Sequence, residues 1–389
     1  MCKNKLLIAA AGAGKTTYIV NQTKTIKNAN VLITTYTEAN MAEIKRKFNG
    51  RVPSNVSIMT WFSFLLQHGV RPYQSLVDAK LNDKRIGFHL TEKRSGYRYK
   101  GKYGGIYWAK KDGIKYYLTK DYKIYSDKIT EFILECNKTL KNELIKRINR
   151  IYPYIFIDEV QDLVGWEFEL IKKLLQSKSQ MVLVGDPRQI TYSTHPSLKH
   201  VKYRNGGIKE FIEIECNKNK ELCIIDEKTL SKSYRNNEFI CNFSSALYPN
   251  LDPSKPHEDK NFKNDMVKNK GIFLLKPKDL EKFTKKYKPQ ILKYQLAEFP
   301  DLNFGASKGL GFDRVLIYPT EKIRNYLIDG DLEALSTVKA KFYVAVTRAR
   351  HSVAILLDYD DEIKYIDGIK RIKYKNIIGK MQNYEHTTK

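Results

Sequence analysis

Ala9-Ala10-Ala11-Gly12-Ala13-Gly14-Lys15-Thr16 places small residues, a lysine and a hydroxyl in an order that suits a polyphosphate. Small side chains let successive backbone N–H groups wrap phosphate oxygens, Lys15 reaches the β and γ oxygens, Thr16 ligates Mg²⁺, and a helix starting here adds its dipole. Ala11, Gly12, Ala13, Gly14, Lys15, Thr16 and Thr17 are therefore the expected phosphate-binding residues. Ile155-Phe156-Ile157-Asp158-Glu159 supplies an apolar strand ending in two carboxylates. The pairing assigns Asp158 to the metal through its water shell and Glu159 to the polarisation of an attacking water. Gly185-Asp186-Pro187-Arg188-Gln189 again follows an apolar run, with Gln189 placed to sense a γ-phosphate and Tyr192 to face a base. Alone, two acids at a strand end also suit a solvated surface, and the third cluster an ordinary turn; beside the phosphate loop both acquire a chemical reading.

These residues need elements to hold them. Leu6 to Ala10 reads as a strand, Thr16 to Ile26 as a helix and Val31 to Thr35 as a second strand. A helix follows over Glu38 to Phe48, and Pro53 with Asn55 marks a turn before the strand Val56 to Thr60. Later strands are Tyr154 to Ile157, Met181 to Gly185, Gly271 to Leu275, Arg314 to Tyr318 and Val353 to Leu357. Strands separated by helical patterns predict an α/β fold with parallel sheets flanked by helices.

The chain of 389 residues is long enough for two or three domains, and 42% apolar residues supply a core for each. That content excludes disorder for the bulk of the chain. A net charge of +26 points to a polyanionic partner, nucleic acid ahead of an anionic membrane surface. No stretch approaches the ~20 consecutive apolar residues that span a bilayer. The first residues do not read as a signal peptide. The five cysteines form no CxxC pair, so neither a zinc ribbon nor a disulfide framework is indicated, and a reducing cytosol fits best.

Two stretches interrupt the alternation. Residues 94–123 hold nine Lys/Arg against two Asp, and residues 97–125 hold eight Tyr and one Trp. This composition suits an insertion that meets a nucleic-acid backbone and stacks bases, and equally a small β-rich subdomain with ordinary surface tyrosines. The other stretch, 249–268, carries Pro249, Pro253 and Pro256 among polar residues and reads as a linker or short insertion. The basic stretch 364–380 reads as a solvated face.

The phosphate loop, Asp158-Glu159-Val160-Gln161-Asp162 and Gly185-Asp186-Pro187-Arg188-Gln189, in this order, resemble the UvrD/Rep-like helicases of superfamily 1, whose carboxylate motif reads DE-x-QD. Thr35-Tyr36-Thr37-Glu38-Ala39 is similar to that family's T-F/Y-T-N-K-A motif, one residue shorter, and Thr60-Trp61-Phe62-Ser63-Phe64 to its TFHSF motif with Phe62 in place of His. Ser233-Tyr234-Arg235-Asn236 resembles N-Y-R-S, Ser307-Lys308-Gly309-Leu310-Gly311-Phe312 resembles AKGLEF, and Tyr343-Val344-Ala345-Val346-Thr347-Arg348-Ala349 matches Y-V-A-x-T-R-A. The resemblance implies ATP and Mg²⁺ as cofactors, Tyr234 stacked on adenine, and Arg235 and Arg348 as fingers on the γ-phosphate. It also implies Tyr36, Thr60, Phe62, Tyr192 and Lys308 along single-stranded DNA.

Departures from the family pattern are informative. The upstream glutamine motif that reads adenine does not precede the first strand, and Gly311 stands where the family has Glu. Asn303-Phe304-Gly305 replaces Thr-x-His, and Thr194 occupies the place of a tryptophan expected after Tyr192. The short interval between Arg235 and Lys308 leaves little room for the accessory subdomain of full-size relatives.

The expected architecture is two RecA-like domains, 1–228 with a Tyr/Lys-rich insertion at about 67–128, and 229–389 with the short Pro-rich insertion at about 249–268. The expected activity is a cytoplasmic ATP-dependent DNA helicase or translocase, 3′ to 5′ by resemblance, acting on single-stranded or tailed duplex DNA without a membrane partner. The alternative is an ATP- and DNA-sensing subunit that gates a partner such as a nuclease, in repair or anti-phage defence.

Overall fold

Apolar β-branched runs become strands here because both faces are covered: Val31–Thr35 is buried along its whole length. The computed structural model describes residues 4–102, 104–190, 197, 199–258, 269–295 and 297–372. Their backbone forms two six-stranded parallel sheets with helices on both faces, the α/β class expected, built as two RecA-like halves. In the first sheet the strands run in the order Cys223–Asp226, Asn4–Ile8, Gln180–Gly185, Tyr154–Asp158, Val31–Thr35, Val56–Thr60.

Strand parity divides the first core. Leu6, Leu32, Ile155, Ile157 and Leu183 point to one face and pack with Trp61, Phe64, Phe132 and Phe168. Leu7, Ile33, Phe156 and Val184 point to the other, against Ile19, Val20 and Ile44 from the helices Lys15–Thr25 and Glu38–Lys47. All these strands being parallel, their carboxyl ends share one edge, and the chain leaves that edge through the phosphate loop, Tyr36, Trp61, Glu159 and Asp186.

The second sheet has the order Leu302–Asn303, Gln290–Lys293, Phe312–Ile317, Ala349–Leu356, Gly271–Leu275, Ile369–Arg371. Ile272, Leu274, Val315, Ile317 and Val353 pack there with Ile240, Phe243 and Phe342. This half meets the first with residues that precede its strands: Lys308 ahead of Phe312–Ile317 and Arg348 ahead of Ala349–Leu356.

Several expected elements shift. The strand predicted from Val353 begins at Ala349, directly after Arg348, and the one predicted from Arg314 begins at Phe312. Both strands are extended by the pairing of Phe312 with Ala349, which an irregularity separates from the pair Arg314 and Ser352. Ile369–Arg371, read as part of a solvated face, is instead an edge strand paired with Gly271–Leu275; the remainder of that basic stretch, from 373, lies outside the described residues.

Only part of the Tyr/Lys-rich insertion is surface. Val70, Leu81, Ile86, Tyr117 and Ile124 join the first core, and the Tyr116 hydroxyl donates to Glu131 at 2.7 Å. Tyr97–Gly101 and Gly104–Tyr107 form an antiparallel hairpin that projects Tyr97 and Tyr99, 57% and 53% exposed. The Pro-rich stretch is no loose linker in its described part: Lys255–Pro256 pairs with Lys232–Ser233, and the Asp252 carbonyl accepts from Arg188 at 2.6 Å. Its residues 259–268 lie outside the described residues. Among the described residues, no helix is long and apolar enough to cross a membrane.

Candidate active site

Gly12 and Gly14 both have positive φ, +73° and +82°, which curls the loop before the helix starts at Lys15. A Cβ on Gly12 would lie 2.6 Å from the Arg235 Cβ, so the second half of the chain packs directly on the bare backbone. The Ser233 hydroxyl donates to the Ala11 carbonyl at 2.6 Å and the Tyr234 N–H to the Gly12 carbonyl at 2.9 Å. Ala13 is buried in the loop, and the Thr17 hydroxyl accepts from Lys47 at 2.9 Å.

A cavity of about 780 Å³ opens over this loop. Gly12, Lys15, Thr16, Asp158, Glu159 and Gln189 line it from the first half, Tyr234, Arg235, His257 and Arg348 from the second. The sequence-predicted nucleotide residues thus converge. Thr16 donates to Asp158 at 3.2 Å, and the Lys15 ammonium stands 3.8 Å from Glu159. A hydroxyl beside a carboxylate is a hard-oxygen pair that fits Mg²⁺, whose other ligands come from water and phosphate. Among the described residues no cluster of three or more His, Cys, Asp or Glu competes for a metal.

The two carboxylates are driven apart in acidity. Burial opposes ionisation of Glu159, but the ammonium groups of Lys15 and Lys308 and the Gln161 amide outweigh it and hold Glu159 well below the usual range. Burial and the neighbouring Glu159 charge push Asp158 upward. Both carboxylates line the cavity, and Glu159 is the one whose ionisation its surroundings favour.

Behind it runs a relay that the sequence did not reveal. The Gln161 amide donates to Glu159, and its oxygen accepts from the Asp186 N–H at 3.1 Å. Asp186 also accepts from Gln189 at 2.9 Å and from the Tyr343 hydroxyl, across the two halves, at 3.2 Å. Gln189, expected to sense phosphate, borders the cavity but turns its amide onto Asp186.

Arg348 is 1% exposed and spends its donors on neutral oxygens: Val344 at 3.0 Å, Leu310 at 3.2 Å and Thr347 Oγ1 at 3.2 Å. Burial, then the nearby Arg235 charge, lowers it to about 9. Arg235 is lowered too, chiefly by burial, and reaches the Thr347 carbonyl at 3.4 Å. Among the described residues neither guanidinium forms an ion pair, so the second half brings two cations to the cavity, Arg348 buried and Arg235 half-buried against the phosphate loop, an arrangement suited to an anion.

The expected strand contacts fare differently. Lys308, expected on nucleic acid, is in fact held between carboxylates: its ammonium is 2.8 Å from Asp162 and 3.8 Å from Glu159, because its loop docks on the carboxylate turn of the other half. Thr60 caps the helix that follows, accepting from the Ser63 N–H at 3.3 Å and donating to its hydroxyl at 2.8 Å. Phe62 packs on Phe88 with centroids 4.5 Å apart and meets Tyr36 edge-on at 6.2 Å. Tyr192 lies outside the described residues. Tyr234, half exposed, is already stacked on His257 at 4.0 Å; nothing in the Pro-rich stretch signalled that its histidine reaches the cavity.

A family model described as an AAA domain matches residues 1–195. The probable DNA helicase II homolog of Mycoplasma capricolum is 29% identical over 109 residues, 28% of this chain and 13% of that protein. The RecBCD enzyme subunit RecB of Buchnera aphidicola is 26% identical over 151 residues, 39% of this chain and 11% of that protein. The matched stretches thus span only a small fraction of these relatives. The crystal structure of Arterivirus nonstructural protein 10, a helicase, aligns over 92% of this chain and 60% of its own, with 13% identity and a TM-score of 0.42.

Proposed function

The chain belongs to the AAA-domain family found in the UvrD/Rep-like helicases of superfamily 1, and from that premise we propose that it hydrolyses ATP to move along single-stranded DNA. The observation that carries this reading is that Arg235 and Arg348 from the second half line one cavity together with Lys15, Asp158 and Glu159 from the first. Lys15 and the backbone N–H groups of Gly12 to Thr16 hold the β and γ phosphates. Thr16 and Asp158 hold Mg²⁺, which when bound neutralises phosphate charge. Glu159, kept ionised, orients the attacking water, with Gln161 fixing its carboxylate. Arg235 and Arg348 come from the other half, so they reach the transferring phosphoryl group only in a closed cleft, and hydrolysis is tied to domain motion.

DNA as the track rests on the motif resemblance and on the cationic, aromatic hairpin at Tyr97–Tyr107, and 3′ to 5′ as the direction on the motif resemblance alone. Strand separation would follow if the two halves grip unequally through the cycle. A second reading has its own support: Thr60 and Phe62 are committed to internal contacts, which favours an ATP- and DNA-sensing subunit that gates a nuclease or another partner without processive unwinding.

The test uses the purified chain, ATP, single-stranded oligonucleotides and duplexes with 3′ or 5′ tails. The motor reading expects hydrolysis that rises with single-stranded DNA, with displacement from the 3′ tail. Stimulated hydrolysis without displacement from either tail selects the sensor. No nucleotide binding at all removes both.

A further inference from the structure

Glu167 is an acid in an apolar setting, Trp166-Glu167-Phe168, in the first turn of the helix Trp166–Leu175, and its side chain is fully buried. Such a group persists only where donors meet it. Trp61 Nε1 donates to one carboxylate oxygen at 2.7 Å; the Val164 N–H at 2.8 Å and the Tyr36 hydroxyl at 3.4 Å donate to the other.

The origin of these donors matters more than their number. Tyr36 follows the strand Val31–Thr35, Trp61 follows Val56–Thr60, and Val164 closes the turn that follows the carboxylate strand. Tyr36 continues edge-on into Phe62, which lies on Phe88. On the other side, Asp162, two residues before Val164, is paired with Lys308, which also approaches Glu159. One carboxylate therefore fixes the spacing between the aromatic row and the turn that carries the candidate water-orienting glutamate. Lys308 belongs to the other half, so opening or closing the cleft pulls on that turn.

We propose that Glu167 is a positioning residue that couples the nucleotide cleft to the aromatic row at Tyr36 and Phe62, so that strand binding changes hydrolysis through it. This rests on the ATP- and DNA-dependent reading above. A purely architectural role for Glu167 makes a different forecast: its loss would then depress every property of the site together.

The experiment measures, for wild type, Glu167→Ala and Glu167→Gln, the affinity for a fluorescent ATP analogue, basal hydrolysis, and hydrolysis with oligo(dT). In Glu167→Ala, nucleotide affinity and basal turnover should stay near wild type while the DNA-stimulated increment falls roughly tenfold, the size of an ordinary coupling energy. Glu167→Gln retains one acceptor oxygen and the shape, and should recover most of the increment. Should Glu167→Ala not fold, Trp61→Phe, which removes one donor and keeps a ring, should show a smaller selective loss. An unchanged increment, or basal and stimulated rates falling in parallel, overturns the coupling role. Wild type that hydrolyses ATP with no response to oligo(dT) overturns the coupling and leaves the nucleotide site standing. Wild type that binds no nucleotide overturns the proposed function itself and the coupling with it.

Discussion

The nucleotide cleft and the Tyr97–Tyr107 hairpin are both rich in cations, yet they are built by opposite rules. In the cleft the charges are buried and held: Lys15 on Glu159, Lys308 on Asp162, Arg348 on three neutral oxygens. At the hairpin they lie over half-buried rings, Arg94 over Tyr107 at 4.4 Å and Arg98 over Trp108 at 4.3 Å, beside open Tyr97 and Tyr99. Stabilising charge on a transferring phosphoryl group requires dipoles fixed before the reaction in a site of low dielectric. Gripping a flexible polyanion requires cations and ring faces that adapt. The contrast separates a chemical site from a candidate track on one positively charged chain.

The largest effects should come from the cleft. Lys15→Ala removes the cation aimed at the phosphates, and hydrolysis should fall to background with loss of nucleotide binding. Glu159→Gln should bind ATP and fail to turn it over, accumulating the closed state; turnover equal to wild type would remove Glu159 from its role. Arg348→Ala should slow hydrolysis by about 10³-fold or more if the guanidinium acts on the phosphoryl group. Phosphate release reads turnover in all three, and titration with a fluorescent ATP analogue reads binding in Lys15→Ala and Glu159→Gln.

The sequence made one region far more legible than the other. Lys15 and Thr16 were readable from the small-residue loop before them and Asp158 and Glu159 from the apolar strand they close, and parallel pairing brings both strand ends to one edge without further information. The pairing of Lys308 was not legible because its partner, Asp162, lies in the other half of the chain; no local pattern says that a lysine will meet a distant turn. His257 and Glu167 escaped notice because their contacts are likewise distant in sequence. His257 arrives on a two-residue strand pairing, and Glu167 cannot be told from an exposed helical acid until Trp61 and Tyr36 cover it. The hairpin tyrosines were visible in composition, but only packing separates Tyr97 and Tyr99, which are open, from Tyr116 and Tyr117, which serve the core.

That division predicts a smaller and more selective effect on the hairpin. Replacing Tyr97, Tyr99 and Arg98 together by Ala should weaken single-stranded DNA binding by roughly 1–3 kcal/mol for each base that loses a stacking partner. It should also flatten the log–log salt dependence by about 0.7 for each phosphate contact removed. Basal hydrolysis without DNA should not change. Anisotropy titrations at several salt concentrations measure both quantities. An unchanged affinity would return these tyrosines to ordinary surface, and a loss of basal hydrolysis would erase the distinction between the two regions.

The smallest expected effect concerns the stability of the buried side. Burial pushes the Glu167 carboxyl up to about 8, against the donors Val164, Trp61 and Tyr36, and pushes Asp162 up to about 6. A folded state that holds a proton more tightly than the unfolded chain loses stability as pH rises from the ordinary carboxylate range to the raised value, and levels off above it. Between pH 6 and 8.5 the Asp162 contribution is nearly complete, Asp158 adds a share through its own upward shift, and Glu167 supplies the part that a single substitution removes. Denaturant unfolding at these two pH values should show wild type losing stability on going up, and Glu167→Gln losing less by on the order of 1 kcal/mol. The hairpin variant should keep the wild-type difference between the two pH values. An identical pH response in wild type and Glu167→Gln would mean that Glu167 is ionised throughout this range, its three donors having outweighed its burial.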